Sequence, residues 1–512
     1  MIYDLAIVGS AFGGALLSMV ARRLGRSVVL IERDRHPKFA IGESSTPLTN
    51  LMLEELARRY DLPRISAFSK WGSWQRSHPQ IAAGLKRGFS FYHHVPGQAW
   101  QPEEDRSNEL MVAASPNDEV ADTHWYRPDF DAFLVQEAMS LGVAYQDQTH
   151  LDQIVEDVSG VTLSGRRHGV PIQYQARFLV DASGARGFLW KALGLGSLPY
   201  PDYPSTEGLF THFQGVKRWE DLISRSEKEF PFPPDDAALH HVFPGGWIWV
   251  LRFNNGITSA GVSMESWLAR ELALEHGAPA WSRLLERFPS IALQFQGAQA
   301  VEPFHYLPSM SFQSARLAGR PWALLPSSAG FLDPLLSTGF PITLLGIQRL
   351  ADLWEQETQP SIASLEWYAE ETRADLLMVA RLVGSLHQNL GRPAVFESMS
   401  MLYFAAAIFS ETTRRLGKYS LSPGFLLRGR EDFRKSLERL CGEARKQHLD
   451  PVEFTREVAR AIAPFNVAGL MNPQRRHWYP MDLEPLYASS ATLGVTREEI
   501  TSMLVRCGCL TR

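Results

Sequence analysis

The residues best placed to do chemistry start almost at the beginning of the chain. Gly9-Ser10-Ala11-Phe12-Gly13-Gly14 interrupts an apolar run, and an acid, Glu32, follows at the end of the next apolar run. Gly9 permits a tight turn, and Gly14 lets a helix pack closely on a strand. The free N–H groups at that helix's start present a positive dipole end to a pyrophosphate. Glu32 falls where a carboxylate would accept hydrogen bonds from ribose hydroxyls. Ala11 stands where such loops usually carry a second glycine; its methyl is small enough to tolerate. This chemistry is dinucleotide binding, and the other reading of the same residues is a glycine-rich structural turn.

The elements needed to position these residues are legible around them. Asp4–Val8 reads as a short strand, Ala15–Leu24 as a helix ended by Gly25, and Ser27–Ile31 as a second strand, together a β-α-β unit. Further on, Ala176–Asp181 reads as a strand entering the small-residue turn Ala182-Ser183-Gly184, which lets backbone come close to a ligand. Arg127 and Asp131 open an amphipathic helix, Phe130–Leu141. They suit a site near a cofactor, and equally an i,i+4 pair that supports the helix. From Val242 to Val262 the pattern turns to strands. Trp247–Leu251 and Ile257–Val262 flank the hairpin turn Asn254-Asn255-Gly256. Gly84–His94 reads as similar hairpin material, so a second sheet layer is expected. Beyond about residue 350 the chain reads as helical, with Ser364–Leu390, Met401–Leu416 and Glu431–Lys446 as examples. Pro231–Pro234 reads as a surface loop.

Composition bounds the partners. The 512 residues carry 51 Lys+Arg against 56 Asp+Glu, a net charge of -5, and no basic stripe for nucleic acid or anionic lipid. Asp4 before the first apolar run, and no basic stretch ahead of it, exclude a signal peptide. No run of about 20 uninterrupted apolar residues is present. The chain therefore reads as soluble, cytoplasmic and without a membrane or nucleic-acid partner. Three cysteines, Cys441, Cys507 and Cys509, do not make a disulfide framework. The Cys507-Gly508-Cys509 pair has no second Cys or His pair to complete a zinc site, so no metal is expected.

Six segments, in order, carry a family resemblance: GSAFGG at 9–14, IGESSTP at 41–47, GLKRGFSFYHH at 84–94, VDASG at 180–184, GGWIWVLRF at 245–253 and GFLDPLLSTG at 330–339. Together they resemble the flavin-dependent halogenases, particularly those acting on phenolic or pyrrolic substrates. The resemblance implies an α/β fold: the FAD-binding, Rossmann-like fold of glutathione-reductase-type monooxygenases, with a β-sheet substrate layer. Residues 1–350 would form the FAD-binding module and 351–512 a mainly helical C-terminal region. The implied cofactor is FAD, reduced by a separate flavin reductase, and no second nucleotide fingerprint for NAD(P)H is visible. Its contacts would come from Gly9, Ala11, Phe12, Gly13, Gly14, Glu32, Arg33, Glu43, Ser44, Arg127, Asp181, Gly184 and Asp333.

In that family reduced flavin and O2 give a C4a-hydroperoxide. Chloride or bromide attacks it, and the resulting hypohalous acid travels to a lysine beside the substrate. Lys86 matches that catalytic lysine, and burial would lower its pKa toward the neutral amine; Arg87 is the neighbouring decoy. Ser337, Thr338 and Gly339 match the halide site. They also suit a turn before a helix starting near Pro341, with Ser337 or Thr338 as its cap. Two departures stand out. Leu336 replaces the glutamate of members acting on free tryptophan, which points toward phenols, pyrroles or carrier-bound aromatics. If a base is needed, His93 and His94 are candidates, on opposite faces of a strand. The family's W-x-W-x-I-P signature reads Trp247-Ile248-Trp249-Val250-Leu251-Arg252 here, with both channel tryptophans kept and the Ile-Pro ending lost. The leading expectation is an O2-using halogenase of an electron-rich aromatic, free or carrier-bound. The alternative is a halogenase-like monooxygenase acting on a small aromatic or a partner protein's side chain. A flavin-binding dehydrogenase or reductase without oxygen activation is a third reading.

Overall fold

The computed structural model describes residues 2–223 and 230–510. Strands Ile2–Val8 and Val28–Ile31 are parallel neighbours, in register from Leu5 opposite Val28 to Val8 opposite Ile31. The last four residues of the first and all of the second are buried, as in a sheet covered on both faces. Val170–Asp181 pairs in parallel on the other side of Ile2–Val8, and Trp322–Leu324 lies beyond it. Among the described residues this sheet has eight strands. The helix of the β-α-β unit is Phe12–Arg23, starting three residues before the expected Ala15. Gly14 explains the early start. A Cβ there would lie 1.9 Å from the Gly9 carbonyl oxygen, so only glycine lets the first turn rest on the loop below it.

A second sheet has nine strands among the described residues. Its middle runs Thr206–Gln214, Ile257–Glu265, Gly246–Arg252, Ala238–Phe243, Gly88–His93 and Glu109–Ala113. The hairpin at Asn254-Asn255-Gly256 forms as expected, with Phe253 N donating to Ile257 O (2.9 Å) and Gly256 at φ +81°. Gly84–His94, in contrast, is not a hairpin. Ala83–Lys86 pairs with Asp122–Trp125, whereas Gly88–His93 joins the large sheet. The chain changes sheets at Arg87, whose N–H is taken by Asp236 O (2.7 Å).

The C-terminal helices include Ile362–His387, Pro393–Arg415 and Glu431–Ala444. One contiguous apolar core runs from Leu5 to Cys507, so these helices pack onto the same interior as the nucleotide-type sheet. Pro393–Arg415 is long and apolar enough to cross a bilayer by length and composition, but most of it is buried inside the protein. The helix expected at Phe130–Leu141 spans Arg127–Ser140, with Pro128 in its first turn, a position that needs no N–H.

Candidate active site

Lys86 ends the strand Ala83–Lys86 and is wholly buried. Its Nζ donates to Ser44 Oγ (2.9 Å) and Ser45 O (2.6 Å), and lies 3.9 Å from the Phe89 ring centroid. Asp122, also buried, is its cross-strand partner in register and accepts from Asn50 Nδ2 (2.8 Å). Burial disfavours both charges. It lowers Lys86 to about 7, against the attraction of Asp122. It raises Asp122 to about 7, against the attraction of Lys86. Arg87 takes no part, because its guanidinium pairs with Asp118 (2.7 Å) and reaches Pro116 O.

Lys86 sits between two cavities. Ser44 lines one, with Glu43, His240, Trp247, Trp249 and Asp333. Thr46 and Phe89 line the other, whose walls are mostly apolar and include Tyr403, Phe404, Phe425 and Leu426. The amine's contacts therefore belong to both spaces.

The tryptophan cavity has a polar floor. Asp333 Oδ2 accepts from Ser263 Oγ (2.6 Å) and lies 3.1 Å from His387 Nε2, while Oδ1 accepts from Leu335 N (2.8 Å). Burial alone would raise the Asp333 pKa, yet His387 and these hydrogen bonds hold it below the usual carboxylate value. Glu43 Oε1 lies 2.8 Å from His212 Nε2, and its buried Oε2 has no partner. His240 stacks on Phe91 at 4.4 Å, and burial lowers its pKa to about 3, so it is neutral. Trp249 Nε1 donates to Ser259 Oγ (3.3 Å), whereas the buried Trp247 Nε1 has no partner.

Ser337 and Gly339 line this same cavity and Thr338 is buried beside them. Ser337 is at φ +53°, in the left-handed region. The helix begins at Gly339 rather than near Pro341, and Thr338 caps it without a side-chain hydrogen bond. First-turn N–H groups have no intrahelical acceptor, so this corner offers donors without a formal cation.

The glycine loop borders a third space, of about 590 Å³, lined by Gly9, Ala11, Glu32, Arg33, Lys38 and Ser183. Gly9 is at φ +97°, and a Cβ there would lie 2.5 Å from Ala182 O. Gly184, at φ +88°, donates its N–H to Ser328 Oγ (2.9 Å). Five of the expected cofactor residues have protein partners of their own here. The Phe12 ring is buried against Trp125 (5.0 Å) and Phe340 (5.2 Å), leaving only its backbone for a ligand. Asp181 spends its carboxylate on its own turn, accepting from Ser183 N (2.8 Å) and Leu189 N (2.7 Å). Glu32 is already engaged by Ser10 N (3.0 Å), Ser10 Oγ (2.9 Å), Asp34 N (2.9 Å) and Lys38 Nζ (2.6 Å). Burial would raise its pKa, but Lys38 and these donors lower it to about 2; a ribose would compete with Lys38. Arg127 forks onto Asp131 (2.9 and 2.7 Å) and donates to Gly42 O (2.7 Å). It supports its helix and pins the loop that lines the tryptophan cavity. Gly13 is covered by Thr343 and Leu325.

Three further placements differ from what the motifs suggested. His93 packs on Phe396 (5.2 Å) and His94 bonds His241 (2.9 Å), and neither is among the residues lining the two cavities beside Lys86. Arg252 turns its guanidinium to the buried Asp235 (2.8 Å) and to Val216 O (3.1 Å), outside the tryptophan cavity. Asp122, His212, His240 and His387 carry no motif signal. Their partners lie far away in sequence, and strand alternation alone does not separate them from core residues.

No family model matches the chain. Among curated proteins it is 30% identical over 358 residues to monodechloroaminopyrrolnitrin halogenase PrnC of Pseudomonas fluorescens, covering 68% of this chain and 61% of that one. It is 31% identical over 353 residues to tetracycline 7-halogenase of Kitasatospora aureofaciens, covering 67% and 61%. This chain is a homologue of the flavin-dependent halogenases. The homologue spans about three fifths of the length of those two relatives. A third, the 1H-pyrrole-2-carbonyl-[peptidyl-carrier protein] brominase of Pseudoalteromonas luteoviolacea, is 25% identical over 369 residues, covering 72% and 80%. The solved structure of halogenase PltM with phloroglucinol and FAD superposes with a TM-score of 0.82 at 23% identity, over 93% of this chain and 99% of that one. The halogenase homologue therefore has the expected flavoprotein fold. Its glycine cradle, where added Cβ atoms would collide, and the orphaned Glu43 Oε2 and Trp247 Nε1 fit a flavin dinucleotide.

Proposed function

We propose that this protein is an FAD-dependent halogenase of an electron-rich aromatic, a phenol or pyrrole presented free or on a carrier. The observation that carries the reading is the wholly buried Lys86 amine, held between a tryptophan-lined cavity and an apolar one. Gly9, Ala11, Gly14 and Gly184 would hold FAD through backbone close approach, with Glu43, Ser44 and Asp333 nearer its reactive end. Bound FAD, reduced by a separate flavin reductase, supplies the oxygen chemistry that turns chloride or bromide into hypohalous acid.

The chain's own residues do the rest. The N–H groups of Thr338 and Gly339 hold the halide, while the Ser337 N–H is taken by Pro334 O (2.9 Å) and shapes the turn. Trp247 and Trp249 wall this cavity and exclude bulky aromatics from it. Lys86, charge-balanced by Asp122, holds hypohalous acid by hydrogen bond and keeps a proton ready for the departing hydroxide. The apolar cavity orients the ring and excludes water. Leu336 leaves no glutamate beside this path, which suits rings activated by their own hydroxyl or nitrogen. Arg252 prompted the oxygen-inserting alternative, and its ion pair with Asp235 lies outside the cavity, so that alternative loses its support. The proposed compartment is the cytoplasm, consistent with three free cysteines and a reductase partner.

The test supplies a flavin reductase, NADH, FAD, O2 and bromide with a panel of phenols and pyrroles. A bromine isotope doublet in a product supports the reading, and oxygen gain without bromine overturns it.

A further inference from the structure

Cys507 and Cys509 take no part in the chemistry above, yet they stand at its edge. The helix Arg497–Cys507 ends at Cys507, and Gly508, at φ +82°, folds the chain back. The two sulfurs come within 3.2 Å. Both line the apolar cavity that also borders Phe89, the ring under the Lys86 amine. Cys507 and Gly508 also line an open depression on the outer surface, shared with Lys70 and Arg76. The pair is thus part of the wall between the proposed substrate cavity and bulk solvent.

The two thiols are not equivalent. The Cys509 hydrogen bond lowers the Cys507 pKa to about 6 against the effect of burial, and Arg415 adds to the lowering. The same contact raises Cys509. One is set up as a thiolate and the other as a thiol beside it, the arrangement of an attacking and a resolving sulfur. Cys441, in contrast, is buried in the core and pushed up to about 12.

We propose that Cys507 and Cys509 form a redox-active dithiol that intercepts hypohalous acid straying into the substrate cavity and closes to a disulfide. A small thiol such as glutathione would reopen it from the outer depression. The oxidant is the one named under the proposed function, so the inference rests on that reading. The Cys507 thiolate attacks the halogen of HOX, forming S–X as O–X breaks, and the hydroxide leaves as water with a solvent proton. Cys509 sulfur then attacks Cys507 sulfur. The S–S bond forms, S–X breaks, halide leaves and the Cys509 proton goes to solvent. Two thiols are oxidised by two electrons and the halogen is reduced to halide. The sulfurs must close by about 1 Å to reach disulfide length. The benefit is local: Met481 and Met503 line the same cavity and would otherwise be oxidised to sulfoxides.

The test has two arms. In the first, the reduced full chain, without flavin or substrate, receives one equivalent of sodium hypobromite. The tryptic peptide beginning at Cys507 is then weighed. The expected result is loss of two hydrogens, reversed by glutathione, with Cys441 still alkylatable. In Cys509→Ser, the Cys507 S–Br bond has no resolving sulfur, so water should release bromide and leave a sulfenic acid at Cys507, trapped by dimedone, with no loss of two hydrogens. Free thiols at 507 and 509 beside oxidised methionine or Cys441 would overturn the proposal. In the second arm the same peptide is weighed after turnover with reduced FAD, O2 and bromide. A disulfide there supports interception. Brominated product with the pair still reduced overturns it. If no brominated product forms, the functional reading fails, while the first arm still decides the dithiol's chemistry.

Discussion

Lys86 and Asp122 face one another in register across the antiparallel pair Ala83–Lys86 and Asp122–Trp125, both buried. An isolated charge at either position would be costly, and the opposite charge is what keeps each partly ionised. Burial lowers the amine to about 7 and raises the acid to about 7, so the pair titrates together near neutrality.

Removing the carboxylate should lower the Lys86 pKa further, since only attraction to Asp122 opposes desolvation. In Asp122→Asn, the falling limb of the bromination pH–rate profile should move down by at least about one unit, which leaves about fivefold less activity at pH 7, where half of the wild-type lysine is protonated. Wild-type protein should lose activity as pH rises through about 7, where Lys86 gives up its proton. A profile unchanged by the substitution would show that Asp122 does not govern the lysine.

Gly14→Ala should abolish FAD retention. The added methyl would meet the Gly9 carbonyl oxygen at 1.9 Å, and neither the loop nor the helix can yield without opening the cradle. Gly442→Ala, where a Cβ meets nothing within 4 Å, is the control and should bind FAD normally. The visible flavin absorbance that survives desalting measures both. Normal FAD content in Gly14→Ala would refute the assignment of the loop.

Arg252→Ala should destabilise the protein without changing its chemistry. Asp235 has a fully buried side chain paired with Arg252, and stranding it should cost about 3 kcal/mol. Thermal unfolding should show a fall of several degrees, while products with bromide keep the same halogen pattern. Oxygenated product from the variant would return Arg252 to the reaction path.

The parts legible in sequence are those enforced locally. Gly9 and Gly14 mark a loop and a helix start that any Cβ would obstruct, and Gly25, at φ +78°, marks the helix end, so the β-α-β unit is readable to within three residues. Asn254-Asn255-Gly256 marks its hairpin for the same reason. The site is less legible because its contacts are long-range. Glu43 meets His212 across 169 positions, and Asp333, in a loop, meets His387 at the end of the helix Ile362–His387. Lys86 looks like an edge-strand lysine until Ser44, Ser45 and Asp122 enclose it. The Gly84–His94 error has the same root, since alternation cannot reveal that the chain leaves one sheet for another at Arg87. Arg252 shows a different limit: the sequence reveals a lost motif residue, and only the fold shows that its partner, Asp235, lies outside the cavity.

The most direct test of the central claim compares wild-type protein with Lys86→Ala in one reaction: reduced FAD, O2, bromide and an accepted phenol or pyrrole. Brominated product and FADH2 oxidation are followed together. The account predicts that Lys86→Ala binds and reoxidises flavin at the wild-type rate while brominated product falls at least about a hundredfold. Unchanged bromination in Lys86→Ala would contradict it.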